Sequence, residues 1–247
     1  MARSEISSSV KKSMKKSYLF ILLLITLIYL TWSAVNSDRF FYDLAITRWV
    51  QGFDVERVLG QLVHYNDRMG VAGVAGITGL GIIVFLWFKK RRIEAAAVST
   101  VGIADLLNPF LRMIIDRPRP GEDLVIVYRI SDSFSFPSGT AMHVMMFCGI
   151  LLYFSGRLIK PGLWRNVLQT LLVIYIPFMG LWLIHRGCHW FSDVLGGYVY
   201  GIFFLWIIIW IYQKYVIWRS LYPSEQLPQE ALPLFLRPFA PIFTLLR

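Results

Sequence analysis

The stretch Phe136-Pro137-Ser138-Gly139-Thr140-Ala141-Met142-His143, FPSGTAMH, stands where a polar loop gives way to an apolar run reaching about residue 156. Ser138 has the residue type that caps a helix start. The same start aims the backbone N–H groups of Gly139 and Thr140 at whatever anion sits before it, and Gly139 leaves room for close approach. The stretch therefore reads as the polar entry of an apolar helix, either a plain cap or an anion cradle. Whether that helix crosses a membrane decides the fold.

Working outward, apolar runs long enough to span a bilayer, roughly 20 residues, fall near 18–34, 70–88, 93–115, 140–156, 164–184 and 194–217. Apolar residues make up 56% of the 247-residue chain, and the mean hydropathy is +0.56, beyond what a soluble domain of this length carries. The first run is long and lacks a small-residue cleavage site, so it reads as an uncleaved span. The expected fold is all-α, a six-transmembrane-helix bundle. Glycines 70, 73, 76 and 79 in the second run make a small-residue stripe suited to helix packing.

Charge sets the expected orientation. The N-terminal tail, the connections at 89–94 and 157–165, and the end of the chain hold 16 of the 25 basic residues and 4 of the 15 acidic ones. By the positive-inside rule both termini are cytoplasmic, and a compact chain of this form points to a bacterial inner membrane. The basic excess is then topology and headgroup attraction, not a nucleic-acid footprint. Residues 1–17 form a basic cytoplasmic tail, 18–218 the membrane domain, and 219–247, with five of the eleven prolines, an interfacial cytoplasmic tail. Segment 35–69 lies outside, with room for short interfacial helices. The two cysteines, Cys148 and Cys188, make no disulfide framework.

This topology brings three polar clusters to the extracytoplasmic face. Arg112 to Pro120 places three arginines and two prolines at the exit of span three, a stiff, positively charged loop. FPSGTAMH opens span four. His185 to Asp193 leads into span six, with His189 and Asp193 four residues apart, hence on one face of a helical turn. Asp193 can there fix the tautomer of His189 and free its second nitrogen to attack, although such a pair also serves as a local structural contact. Arg112 alone could equally snorkel to headgroups. Asp105, with Asn108 and Pro109, is expected to be a buried polar site within span three. Together the clusters suggest a phosphate-like ligand.

In these residues the chain resembles the type-2 phosphatidic-acid phosphatase superfamily of integral membrane lipid phosphatases, relatives of vanadium haloperoxidases. That family carries K-x6-R-P, P-S-G-H and S-R-x5-H-x3-D. Here the first stands as Arg112-x6-Arg119-Pro120 and the second as Pro137-Ser138-Gly139-Thr140. The third keeps His189-x3-Asp193 but has Trp182 and Leu183 where the family has serine and arginine. The resemblance implies that His189 attacks phosphorus to form a phosphohistidine while Asp193 orients its ring. It implies that Arg112, Arg119, Ser138, Gly139 and Thr140 hold the phosphoryl oxygens of a phosphorylated lipid, with no metal or other cofactor.

Two family roles lack their residues. Thr140 replaces the histidine that protonates the leaving group, a loss typically worth about 10²–10⁴ in rate. Leu183 replaces a phosphate-holding arginine, worth roughly 10²–10³. Candidate substitutes are His143, one turn along the same helix, and Arg186, three residues beyond Leu183, with His185 also close in sequence. A missing general acid favours good leaving groups, hence lipid diphosphates such as polyprenyl pyrophosphates over phosphomonoesters. Besides a lipid phosphatase, two functions stay open: transfer of the phosphoryl group to another acceptor, and a degenerate member that binds or moves a phosphorylated lipid without cleaving it.

Overall fold

The computed structural model describes residues 2–53, 71–128 and 133–221. Among them the regular structure is helical: α1 (Ala2–Val35), α2 (Asp43–Gln51), α3 (Val71–Phe88), α4 (Arg92–Ile115), α5 (Gly139–Leu158), α6 (Leu163–His185) and α7 (Phe191–Leu221). Among the described residues, five stretches are long and apolar enough to cross a membrane: Ser17–Val35, Arg92–Ile115, Gly139–Leu158, Leu163–His185 and Phe191–Arg219. They coincide with five of the six expected spans. The remaining one, near 70–88, matches α3, of which the apolar stretch Gly76–Phe88 is shorter. Large apolar side chains such as Leu19, Leu22, Ile25 and Ile28 lie exposed along α1, as suits helices whose solvent is lipid. The chain is an integral membrane protein.

The expected basic tail is helical from residue 2, because α1 runs through it. In the connection after α1, α2 is the short helix expected there; residues 54–70 and the Pro-rich tail from 222 onward lie outside the described residues.

The chain divides into two compact units. One comprises Met1–Phe53, Leu107–Met145 and Ile174–Phe203. Its buried apolar cluster is Val50, Ala141, Leu183, Ile184 and Val194, with Ile46, Phe191 and Tyr198 packed against it. Here α7 meets the start of α5 closely: a Cβ on Gly197 would sit 2.5 Å from the Ser138 carbonyl oxygen and 2.9 Å from the Ala141 Cβ. Thr31 and Tyr200 add a hydroxyl–hydroxyl bond of 2.9 Å. The other unit comprises Asp54–Leu106, Met146–Val173 and Phe204–Arg247. It is tied by Tyr212 donating to Glu94 at 3.3 Å, Gln213 donating to Tyr153 at 3.1 Å and Gln169 donating to Ser155 at 3.0 Å.

In the glycine stripe of α3, Gly70 and Gly73 lie outside the residues whose side chains are described. A Cβ on Gly76 would meet nothing within 4 Å, and one on Gly79 would touch Phe147 at 3.7 Å. One expectation changes. Asp105, expected to be buried, is half-buried, while Asn108 one turn later is buried; the two lie only about 60° apart around the helix, so Asp105 sits at the edge of the covered stripe and Asn108 within it.

Candidate phosphate site

The candidate site lies within the first unit and is assembled at helix ends. α4 stops at Ile115, followed by Asp116 in a left-handed conformation, φ 55°, which an aspartate tolerates better than most residues. Arg117-Pro118-Arg119-Pro120 then leaves the helix extended, because a residue preceding proline disfavours helical geometry. α6 stops in a Schellman motif: the Cys188 N–H donates to the Leu183 carbonyl at 3.2 Å and the Gly187 N–H to the Ile184 carbonyl at 3.0 Å. Gly187 has φ 64°, and a Cβ there would lie 2.2 Å from the Ile126 carbonyl oxygen. Only glycine fits this reversal, which delivers His189 to the entry of α7.

At that entry, Asp193 in the first turn of α7 accepts the Trp190 N–H at 2.8 Å, the return half of a capping box. Its carbonyl accepts the Ser138 N–H at 3.0 Å, coupling the start of α7 to the start of α5. Ser138 is fully buried, and its hydroxyl oxygen accepts the Ala141 N–H at 3.4 Å. Ser138 is thus a cap, and the N–H groups of Gly139 and Thr140 have no acceptor inside the helix. Gly139 is held by close approach: a Cβ there would be 2.6 Å from Asn108 Oδ1 and 3.2 Å from Arg112 Nη2. Asn108 and Arg112 both donate to the Pro137 carbonyl, at 3.3 Å and 3.0 Å.

His189 is buried. Its Nδ1 stands 3.6 Å from Asp193 Oδ2, and its Nε2 stands 3.5 Å from Arg119 Nη1. The Asp193 contact is close but longer than the hydrogen bond the sequence suggested, because the Trp190 amide and Arg117 already engage both carboxylate oxygens. Burial pushes the His189 ring down to about 4; Asp193 opposes this while Arg119 and Arg112 add to it. The imidazole is neutral at pH 7. With its proton on Nδ1, facing the carboxylate, the Nε2 lone pair faces the guanidinium side, where an anion would sit. Arg119 is anchored by donating to the Ser133 carbonyl at 2.7 Å and the Ser133 hydroxyl at 3.0 Å, and to the Cys188 carbonyl.

The structure thus brings together His189, Asp193, Arg119, Arg112, Ser138, Gly139 and, beside Gly139, Thr140. His143 is half-buried one turn along α5. Arg186 stacks over the rings of Tyr128, 4.5 Å away, and Trp182, 5.4 Å away. His185 contacts the Phe53 carbonyl through Nε2 at 3.1 Å. Leu183 belongs to the buried apolar cluster with Ala141 and Val50. Neither cysteine is in a disulfide. Sequence reasoning missed Asp43, and it counted Arg117 only as loop charge, yet Arg117 is buried and bonded to both Asp193 and Asp43. The doubled Arg-Pro step marked Arg117; nothing in the sequence marked Asp43.

A family model described as the PAP2 superfamily matches residues 93–217. The chain is similar to phosphatidylglycerophosphatase B of Bacillus subtilis (strain 168), with 28% identity over 149 residues that cover 55% of this chain and 71% of that protein. It also shares its fold with a crystal structure described as the first transmembrane PAP2 type phosphatidylglycerolphosphate phosphatase from Bacillus subtilis. That match has a TM-score of 0.62 at 22% identity and covers 80% of this chain and 97% of that one.

Proposed function

This chain belongs to the PAP2 superfamily, and from that premise we propose that it is a membrane lipid phosphatase in which His189 is the nucleophile. The observation that carries this reading is the buried, neutral imidazole with Asp193 on its Nδ1 side and Arg119 on its Nε2 side. A ligand-binding protein has no need of such a group; a phosphoryl transfer does.

In the first step, Nε2 attacks the terminal phosphorus and its bond to the leaving oxygen breaks, the lipid departing as its monophosphate from a diphosphate or as an alkoxide that takes up a proton from a monoester. The ring becomes an N-phosphorylated imidazolium whose positive charge faces Asp193. Arg112, Arg119 and the amides of Gly139 and Thr140 stabilise the phosphoryl oxygens, which is where most catalysis of this transfer lies. Water then cleaves the phosphorus–nitrogen bond, releasing inorganic phosphate and the neutral histidine. Hydrolysis, not transfer to a second acceptor, is the reaction of the named relative and the one we assign.

α3, roughly 27 Å long at 1.5 Å per residue, completes six spans in this reading. The basic connections put the termini in the cytoplasm and the site at the extracytoplasmic face, with a bacterial inner membrane as the location. Two substrate classes follow from different observations. The similar Bacillus subtilis protein is named for phosphatidylglycerophosphate, a phosphomonoester. Thr140 cannot protonate a leaving alkoxide, which favours a lipid diphosphate whose leaving phosphate needs no proton. We favour the diphosphate class, with His143 as the alternative proton donor to be tested.

The test is phosphate release from a panel of lipid mono- and diphosphates by the purified protein beside His189→Ala. Release that vanishes in the variant supports the assignment, and the faster class names the substrate. Equal release by folded His189→Ala would refute the nucleophile, and no release by either would turn the reading to a binding protein.

A further inference from the structure

The buried charges beside His189 include one that the proposed mechanism leaves idle. Arg117 is 1% exposed, and a buried guanidinium must be paired and fully hydrogen-bonded to persist. Its Nη1 donates to Asp193 Oδ1 at 2.6 Å and to the Ser192 hydroxyl at 2.8 Å. Its Nη2 donates to Asp43 Oδ2 at 2.9 Å, and its Nε to the Asp38 carbonyl at 3.2 Å. The rings of Phe40 and Phe136 flank it, 4.9 Å and 5.9 Å from Cζ.

Asp43 is as completely engaged. It accepts from the Phe40 N–H at 2.7 Å, the Ser192 N–H at 2.9 Å and the Ser192 hydroxyl at 2.6 Å, besides Arg117. Two carboxylates therefore share one guanidinium, and the trio keeps one net negative charge next to His189. Were Arg117 paired with Asp193 alone, the pair would be neutral, and the imidazolium formed on phosphorylation would face a spent carboxylate. In a buried site that difference is felt strongly, because little water screens it.

Resting on the assignment of His189 as nucleophile, we propose that Asp43 is a positioning residue that acts through Arg117 and Asp193. It balances the arginine so that the Asp193 charge remains available to the His189 ring. Asp43 opens α2 and lies outside the family-matched residues 93–217, so the N-terminal third of the chain takes part in the site. The charged groups acting on His189 directly are Asp193 from α7, Arg112 from α4 and Arg119 from the loop after α4.

The proposal makes opposite predictions for the two partners. In full-length, ¹⁵N-histidine-labelled protein in detergent, the His189 ring is assigned by its loss in His189→Ala and titrated by NMR. Asp43→Asn leaves the trio neutral, so the ring should stay neutral at a pH where the wild-type ring is half protonated. kcat on the best lipid of the panel should fall about tenfold per pKa unit of lost interaction, with KM little changed. Arg117→Gln should move the ring pKa upward. The double variant Asp43→Asn/Arg117→Gln restores one net negative charge and should return the pKa toward wild type, a rescue that mere pinning of the loop would not produce. If Arg117→Gln does not fold, Asp43→Asn decides. An unchanged ring pKa and kcat in folded Asp43→Asn, or a double variant shifted further than Asp43→Asn, overturns the proposal. Because the titration needs no turnover, it judges the charge path even if His189→Ala remains active and the nucleophile assignment falls.

Discussion

At the scale of single residues the chemistry turns on His189 and Thr140. Burial first, then Arg119 and Arg112, hold the His189 ring near 4. NMR titration should show that value and not the usual 6.5 or so, and Arg119→Met should raise it, since a positive neighbour is removed. The sign for stability follows. The folded pKa lies below the unfolded one, so the unfolded chain takes up its proton first as the pH falls. The contribution is intact above about 6.5 and lost progressively down to about 4, which acid unfolding of wild type against His189→Asn would reveal. Thr140, half-buried at the mouth of α5, stands where the family has its acid. Thr140→His should speed monoesters by up to about 10² while leaving diphosphates nearly unchanged; equal acceleration of both would remove the leaving-group argument. The residue types of motif one, the Ser-Gly helix start and the His189/Asp193 spacing were readable from the chain alone, because covalent spacing on a helical turn already puts those groups together.

At the scale of elements the site depends on how helices stop. Gly187 terminates α6 with φ 64° beside the Ile126 carbonyl. Gly187→Ala should cost about 1–2 kcal/mol for the left-handed backbone alone and more for the collision, measured as a lower unfolding midpoint in detergent. Activity should fall with it, because the Cys188 carbonyl that anchors Arg119 and the His189 ring that follows both hang from that turn. An alanine variant of wild-type stability would contradict this account. Element existence was readable from apolar run length. Element ends were not: the reversal at Gly187 and the left-handed Asp116 depend on packing of distant segments, such as Ile126 against Gly187.

At the scale of the whole molecule the prediction concerns sidedness. In Cys148→Ala, a membrane-impermeant maleimide applied to intact cells should label Cys188, the partly exposed thiol next to His189; labelling only from the cytoplasmic side would invert the topology. The sequence by itself determined that this is a helical membrane protein with arginine, Ser-Gly and His/Asp clusters in the order of the PAP2 motifs, because hydropathy and short spacing are local properties. It also showed Leu183 in place of an arginine, but not that Leu183 packs into an apolar cluster with Val50, Ala141 and Val194. Only the tertiary structure decided which charges are buried together. Asp43 and Arg117 are 74 residues apart, and Arg117 and Asp193 are 76 apart, and no periodicity encodes such a meeting. It is settled by the requirement that a guanidinium removed from water find every one of its partners at once.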